Sequence, residues 1–322
     1  MNAKTAAAEF QREIETPVGA AKESALRLVA AMPRLALEAR RVAASVFHGL
    51  HGRRRAGSGE NFWQYRRFHS GEPAIRVDWR RSGRDDHLYV REHEWEAAHT
   101  IWIWPDRSPS MIFASPLVWE TKRDRALVIA FALGELLVRG GERVGIPGLM
   151  RPTANRAVIE RMGEAIVHES VEPKSLPPDF TASPRDEVCI LSDLWSPASK
   201  FAASIANLSA NGAGGHVVQI VDPVEESFSY SGRIEFLEPE GGGSITVGRA
   251  ETWRRDYIDR VARHREIIGD EARRRGWSFA VHRTDRPASE LLLALRARMG
   301  ETRNLIARRR ASLAIPESEA AT

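Results

Sequence analysis

From residue 100 onward, short apolar runs alternate with longer stretches whose apolar residues recur at helical spacing. The runs at 100–105, 143–149, 187–193, 216–221 and 278–283 are short and rich in β-branched and aromatic residues, so they predict buried strands. The stretches near 121–140, 155–168, 198–210, 254–275 and 288–299 predict helices. A β-α-β-α order implies a mostly parallel, Rossmann-like sheet with helices on both faces. Residues 230–248 interrupt it: two short alternating runs flank Gly241, Gly242 and Gly243, which predicts a hairpin.

Upstream, residues 23–50 also carry apolar positions at helical spacing, and Pro33 predicts a break into two helices. Arg34, Arg40 and Arg41 mark their solvent face, and the basic, glycine-containing stretch 52–59 reads as a loop. Residues 60–98 are dense in Trp, Tyr, Arg and acids; alternation over 87–95 predicts a strand, and Ser70 to Pro73 a turn. The expected organisation is a disordered 1–16, a helical segment 17–52, a small β-rich segment 53–98, an α/β domain 99–312 and a loose tail 313–322.

Composition narrows the class of protein. With 322 residues, 43% hydrophobic and 28% charged, the chain has room for a full core. The 47 basic and 43 acidic residues leave a net charge of +4, weak support for a nucleic-acid or membrane partner. Cys189, the single cysteine, sits in an apolar run and has no intramolecular partner for a disulfide. The longest apolar run, 126–138, contains Glu135 and falls short of the roughly 18 residues of a membrane span. The N-terminus lacks the apolar core of a signal peptide, so a cytoplasmic location is expected.

The candidate chemistry begins at Asp106-Arg-Ser-Pro-Ser110, directly behind the first strand of the α/β region. One carboxylate and two hydroxyls at alternate positions are hard oxygen donors, suited to Mg²⁺ or Mn²⁺ rather than zinc. The carboxyl ends of parallel strands are where ligands gather in such sheets. An ordinary strand-to-helix loop with a capping Ser or Asp reads equally well. Asp193 ends the run 187–193 in the same way, so two acids are expected to meet above the sheet edge, and Thr153 offers a hydroxyl from a third loop.

Asp106, Ser108 and Ser110, followed in order by Thr153 and Asp193, resemble the metal-ion-dependent adhesion site of von Willebrand factor A domains. Upstream, Glu60-Asn-Phe-Trp63, Tyr65-Arg66, Ile75-Arg-Val-Asp-Trp-Arg80 and Arg91-Glu-His-Glu-Trp95 resemble the signature of the DUF58 family, in which such a segment precedes a von Willebrand A-like domain. The resemblance implies a non-enzymatic, Mg²⁺-dependent protein-interaction module. It also implies a working partner, a MoxR-type AAA+ ATPase, in chaperone-like assembly or maturation.

The signature segment itself, with Trp63, Arg66, Arg76, Asp78, Trp79, Arg80 and Trp95, has three readings. Interleaved charges make it a clasp, in which Arg66, Arg76, Arg80 and Arg84 pair with Glu72, Asp78, Asp85 and Glu94 around packed Trp rings. Arg and Trp also suit a protein-docking face, or binding of nucleic acid. No zinc spacing, phosphate-binding loop, nucleophile elbow or dinucleotide fingerprint is present in the sequence. The rival reading is a Mg²⁺-dependent phosphatase or phosphotransferase with Asp106 as nucleophile; it needs a second acid and a lysine that Asp106-Arg-Ser108 does not itself supply.

Overall fold

The computed structural model describes residues 17–51, 62–69, 72–84, 86–93, 99–171, 173–239, 241 and 243–313. The predicted disordered N-terminus, the 52–59 loop, the turn residues Ser70 and Gly71, Trp95 and the end of the tail lie outside them. The chain divides into two compact units: Gly49–Ala98, and everything else.

In the larger unit, six strands form one sheet: β3 (Thr100–Pro105), β4 (Arg143–Ile146), β5 (Met150–Thr153), β6 (Glu187–Ser192), β7 (Gly214–Val221) and β10 (Ser278–Arg283). Their order is β10-β7-β6-β3-β4-β5, parallel throughout except for β5, which runs antiparallel to β4. The region read as one strand over 143–149 is therefore a strand and a return. Pro147 has no N–H to donate, and Gly148 at φ 75° turns the chain so that Leu149 N bonds Ile146 O at 3.1 Å.

Alternation along the strands sorts two cores. Ile101, Ile103, Cys189, Leu191, Val218 and Ile220 face one side. There they meet α1 (Pro17–His51), α3 (Lys122–Arg139), α4 (Val158–Val167) and α8 (Ala288–Leu313). Trp104, Val188, Ile190 and Val217 face the other side and meet α5 (Ala198–Ser209) and α7 (Arg254–Arg274). The indole of Trp277 lies flat on Gly215: a Cβ there would come within 2.2 Å of the ring, so only glycine fits. Between β7 and α7 lie α6 (Pro223–Ser227) and a hairpin of β8 (Ile234–Glu238) and β9 (Gly243–Val247).

The break expected at Pro33 does not occur, and α1 is one helix. Leu28, Leu35, Ala39, Ala43 and Val46 are buried along one face on both sides of Pro33, while Pro33 itself is exposed. The lost backbone bond, worth about 3 kcal/mol in a helix interior, is offset by that continuous buried stripe. Arg34 pairs with Glu120 and Asp124, and Arg40 with Glu160, so two of the solvent-face arginines pin α1 to its neighbours.

The smaller unit pairs β1 (Phe62–Arg67) with β2 (Tyr89–His93) antiparallel, with the single turn α2 (Trp79–Ser82) between them in sequence. Among the described residues, no helix is long and apolar enough to cross a membrane.

Candidate functional site

The strand order reverses between β3 and β6: the chain leaves β3 toward β4, then returns to β6 on the other side of β3. Such a switch point opens a crevice at the carboxyl ends of the two strands. Asp106 follows β3 and Asp193 follows β6, so the two predicted acids do stand on either side of this point. A third, Asp222, follows β7 in the same way.

Asp106 is fully buried. Its Oδ1 accepts from Ser108 N at 2.8 Å and its Oδ2 from Ser192 Oγ at 2.6 Å. Burial, and then the charge of Asp193, push its pKa up to about 6, against the pull of those two bonds. Ser108 and Ser110 hold their hydroxyl oxygens 3.2 Å apart. That is close to the spacing, about 3 Å, of two neighbouring ligands on an octahedral Mg²⁺ with bonds of about 2.1 Å. Asp106, Ser108 and Ser110 thus form a compact oxygen set suited to a small hard cation. Among the described residues, no group of three or more His, Cys, Asp or Glu is placed to hold a metal ion.

Asp193 is committed elsewhere. Its Oδ2 accepts from Lys122 Nζ at 2.9 Å and its Oδ1 from Trp195 N at 3.3 Å. The same ammonium donates to Glu225 Oε1 at 2.6 Å, an oxygen that also accepts from Trp195 Nε1. Burial works against the Lys122 charge, but Asp193 and Glu225 outweigh it and hold the ammonium above its ordinary pKa. Burial raises the Glu225 carboxyl, opposed by Lys122. The turn after β6 is shaped by Leu194 in the left-handed region at φ 59°, tied by Ser192 Oγ to its N–H and by His264 Nε2, which donates to its carbonyl. Asp222 accepts from Val224 N and Ser115 N, both at 2.8 Å, and so ties the loop after Ser110 to α6. Arg107 forms a two-pronged pair with Glu169.

Thr153 does not join this group. It pairs with Val144, which pairs with Ile101, four residues before the carboxyl end of β3. It therefore lies two strands from β3 and about 13 Å back along the strand direction. Its hydroxyl instead accepts from Asn155 N at 3.2 Å, starting the turn before α4. The reading of Thr153 as a hydroxyl before a helix holds, but the strand reversal puts it at the wrong end of the sheet.

A cleft of about 1430 Å³ opens over the site, lined by Ser110, Phe113, Lys122, Asp193, Trp195 and Tyr257 among others. Asp106 and Ser108, both fully buried, take no part in that lining. Lys122, Ser192, Asp222 and Glu225 were absent from the sequence reading. A signal existed for Asp222, a carboxylate ending an apolar run, and for Lys122, a cation in the first turn of a helix, where the macrodipole disfavours it.

In the smaller unit, Asp85 and Glu94 of the expected clasp lie outside the described residues. Asp78 spends its Oδ1 capping α2, accepting from Arg80 N and Arg81 N, and its Oδ2 accepts from Tyr65 OH at 3.3 Å. Trp79 is 63% exposed rather than packed, and Arg80 is exposed. Arg81 lies over the Tyr89 ring at 4.6 Å, and Val77 and Val90 are buried. The backbones of Trp63, Arg66 and Arg76 are in the described strand and turn, but their side chains lie outside the described residues, as does Trp95.

A family model described as protein of unknown function DUF58 matches residues 64–267. Uncharacterized proteins of Mycobacterium bovis and of two strains of Mycobacterium tuberculosis are 25% identical over 275 residues, covering 81% of this chain and 86% of theirs. No solved structure matches the chain at a significant level.

Proposed function

The chain belongs to the DUF58 family, and we propose that it is a non-enzymatic protein-interaction module that docks its partner at the carboxyl edge of the large sheet. The edge would work in the von Willebrand A-like manner. Asp106, Ser108 and Ser110 would hold a Mg²⁺ or Mn²⁺ ion, which supplies positive charge for a carboxylate of the partner. The observation that carries this reading is the pair of hydroxyls 3.2 Å apart beside Asp106, at the switch point of the sheet, with Ser110 on the cleft wall. The resemblance to a family associated with MoxR-type AAA+ ATPases makes such an ATPase the partner of choice, in chaperone-like assembly or maturation, with the protein acting in the cytoplasm.

The contacts of Asp106 favour docking over chemistry at that residue. A carboxylate nucleophile must face its substrate, whereas both Asp106 oxygens are engaged by protein donors and the side chain is fully buried. The phosphotransferase reading nonetheless gains from Lys122 and Asp193, which bring the lysine and second acid to the same edge. Turnover of para-nitrophenyl phosphate that is lost in Asp106→Asn would establish it instead.

Docking is tested with the ATPase and the full chain. Calorimetry should show Mg²⁺ or Mn²⁺ binding that Asp106→Ala abolishes. A Ser108→Ala, Ser110→Ala double variant should keep its melting profile and lose the ATPase, and EDTA should mimic the double variant on wild type. Co-purification that survives both treatments refutes a metal-dependent dock.

A further inference from the structure

Lys122 is among the most deeply buried polar residues of the chain, with 1% of its side chain exposed. It opens α3, where the unpaired backbone N–H groups already carry partial positive charge, so local electrostatics oppose it. Two carboxylates, Asp193 at 2.9 Å and Glu225 at 2.6 Å, compensate. Asp106, next to Asp193 at the sheet edge, receives only neutral donors. Two acids thus share one buried ammonium on the cleft wall, with the Asp106 carboxyl beside them, a concentration of carboxylates that a divalent ion could also balance.

We propose that Lys122 is a tethered cation that takes the place of a second divalent ion at this edge. It gives Asp193 and Glu225 a permanent shared counter-charge, so the fold is complete without metal. In combination with the reading of Asp106, Ser108 and Ser110 as an ion site, on which this last step rests, the loop ion is then free to come and go as a signal without unfolding the sheet edge. Lys122 is a positioning residue: it touches the acids, and through them fixes Trp195 and α6 on the cleft wall.

The experiment removes the loop site first, so that its success or failure does not decide the outcome. In the full chain carrying Ser108→Ala and Ser110→Ala, the melting temperature should be the same in EDTA and in millimolar Mn²⁺. Adding Lys122→Met keeps the stem but leaves Asp193 and Glu225 without a counter-charge. Melting in EDTA should fall by roughly 5–15 °C, and Mn²⁺ should restore most of the loss. Lys122→Arg, which retains the charge, should stay indifferent to metal. A Lys122→Met chain that melts alike with and without Mn²⁺ overturns the proposal. If that chain folds in neither condition, the decision passes to Lys122→Met with Asp193→Asn, which removes one charge of each sign. Folding of this pair with a metal-indifferent melt sustains the proposal, and its failure to fold overturns it.

Discussion

Substituting Asp106 by Asn isolates the electrostatic state of the site in the metal-free protein. Asn has the same shape; its oxygen can accept from Ser108 N and its amide can donate to Ser192 Oγ, so both contacts of the carboxylate have a counterpart. What disappears is a buried charge. Burial pushes the Asp106 carboxyl up to about 6 in the fold, against an ordinary aspartate value of 3.8. A raised carboxyl pKa favours the fold fully only below the unfolded value, and that advantage is lost as pH rises through the folded one. The difference of about 2 pK units corresponds to about 3 kcal/mol at neutral pH and about 1 kcal/mol at pH 4.5. Weaker neutral hydrogen bonds add a constant offset against Asn of about 1 kcal/mol. The stability of Asp106→Asn minus that of wild type, measured by urea unfolding in EDTA, should therefore climb by about 2 kcal/mol between pH 4.5 and 7.5. A flat difference across that range would mean that Asp106 is not held at a raised pKa, and the account of the site's charge would fail.

In the smaller unit, Asp78→Ala should cost about 1 kcal/mol through loss of its cap, whereas exposed Trp79→Ala should stay within about 0.5 kcal/mol, both read from thermal melts of the full chain. A larger loss at Trp79 would show that its ring packs in the clasp. Gly215→Ala drives a methyl into the Trp277 ring and should destabilise by about 1–3 kcal/mol, with a changed tryptophan emission spectrum. An unshifted melt would show that the ring can swing away.

The large sheet was legible because its strands are buried on both faces and read as plain apolar runs. That grammar also exposed Asp106 and Asp193 as strand-ending acids, and would have exposed Asp222. The partners of Asp193 were not legible. Lys122 meets Asp193 across 71 residues of chain and meets Glu225 across 103, and no local pattern encodes such meetings. Thr153 was misassigned because a hydroxyl ahead of a helix looks the same whether its strand runs with the sheet or against it. Pro33 shows the opposite limit: a strong local breaker was overridden by burial on either side of it.

The antiparallel return of β5 has a bearing on how copies of this chain can associate. A parallel sheet ending at β4 would offer an open row of amides to any neighbouring strand. Here the outermost position belongs to a four-residue strand containing Pro152, which has no amide hydrogen to give, and Arg143 donates to the Pro152 carbonyl at 3.1 Å. Strand-by-strand polymerisation from that margin is thereby disfavoured.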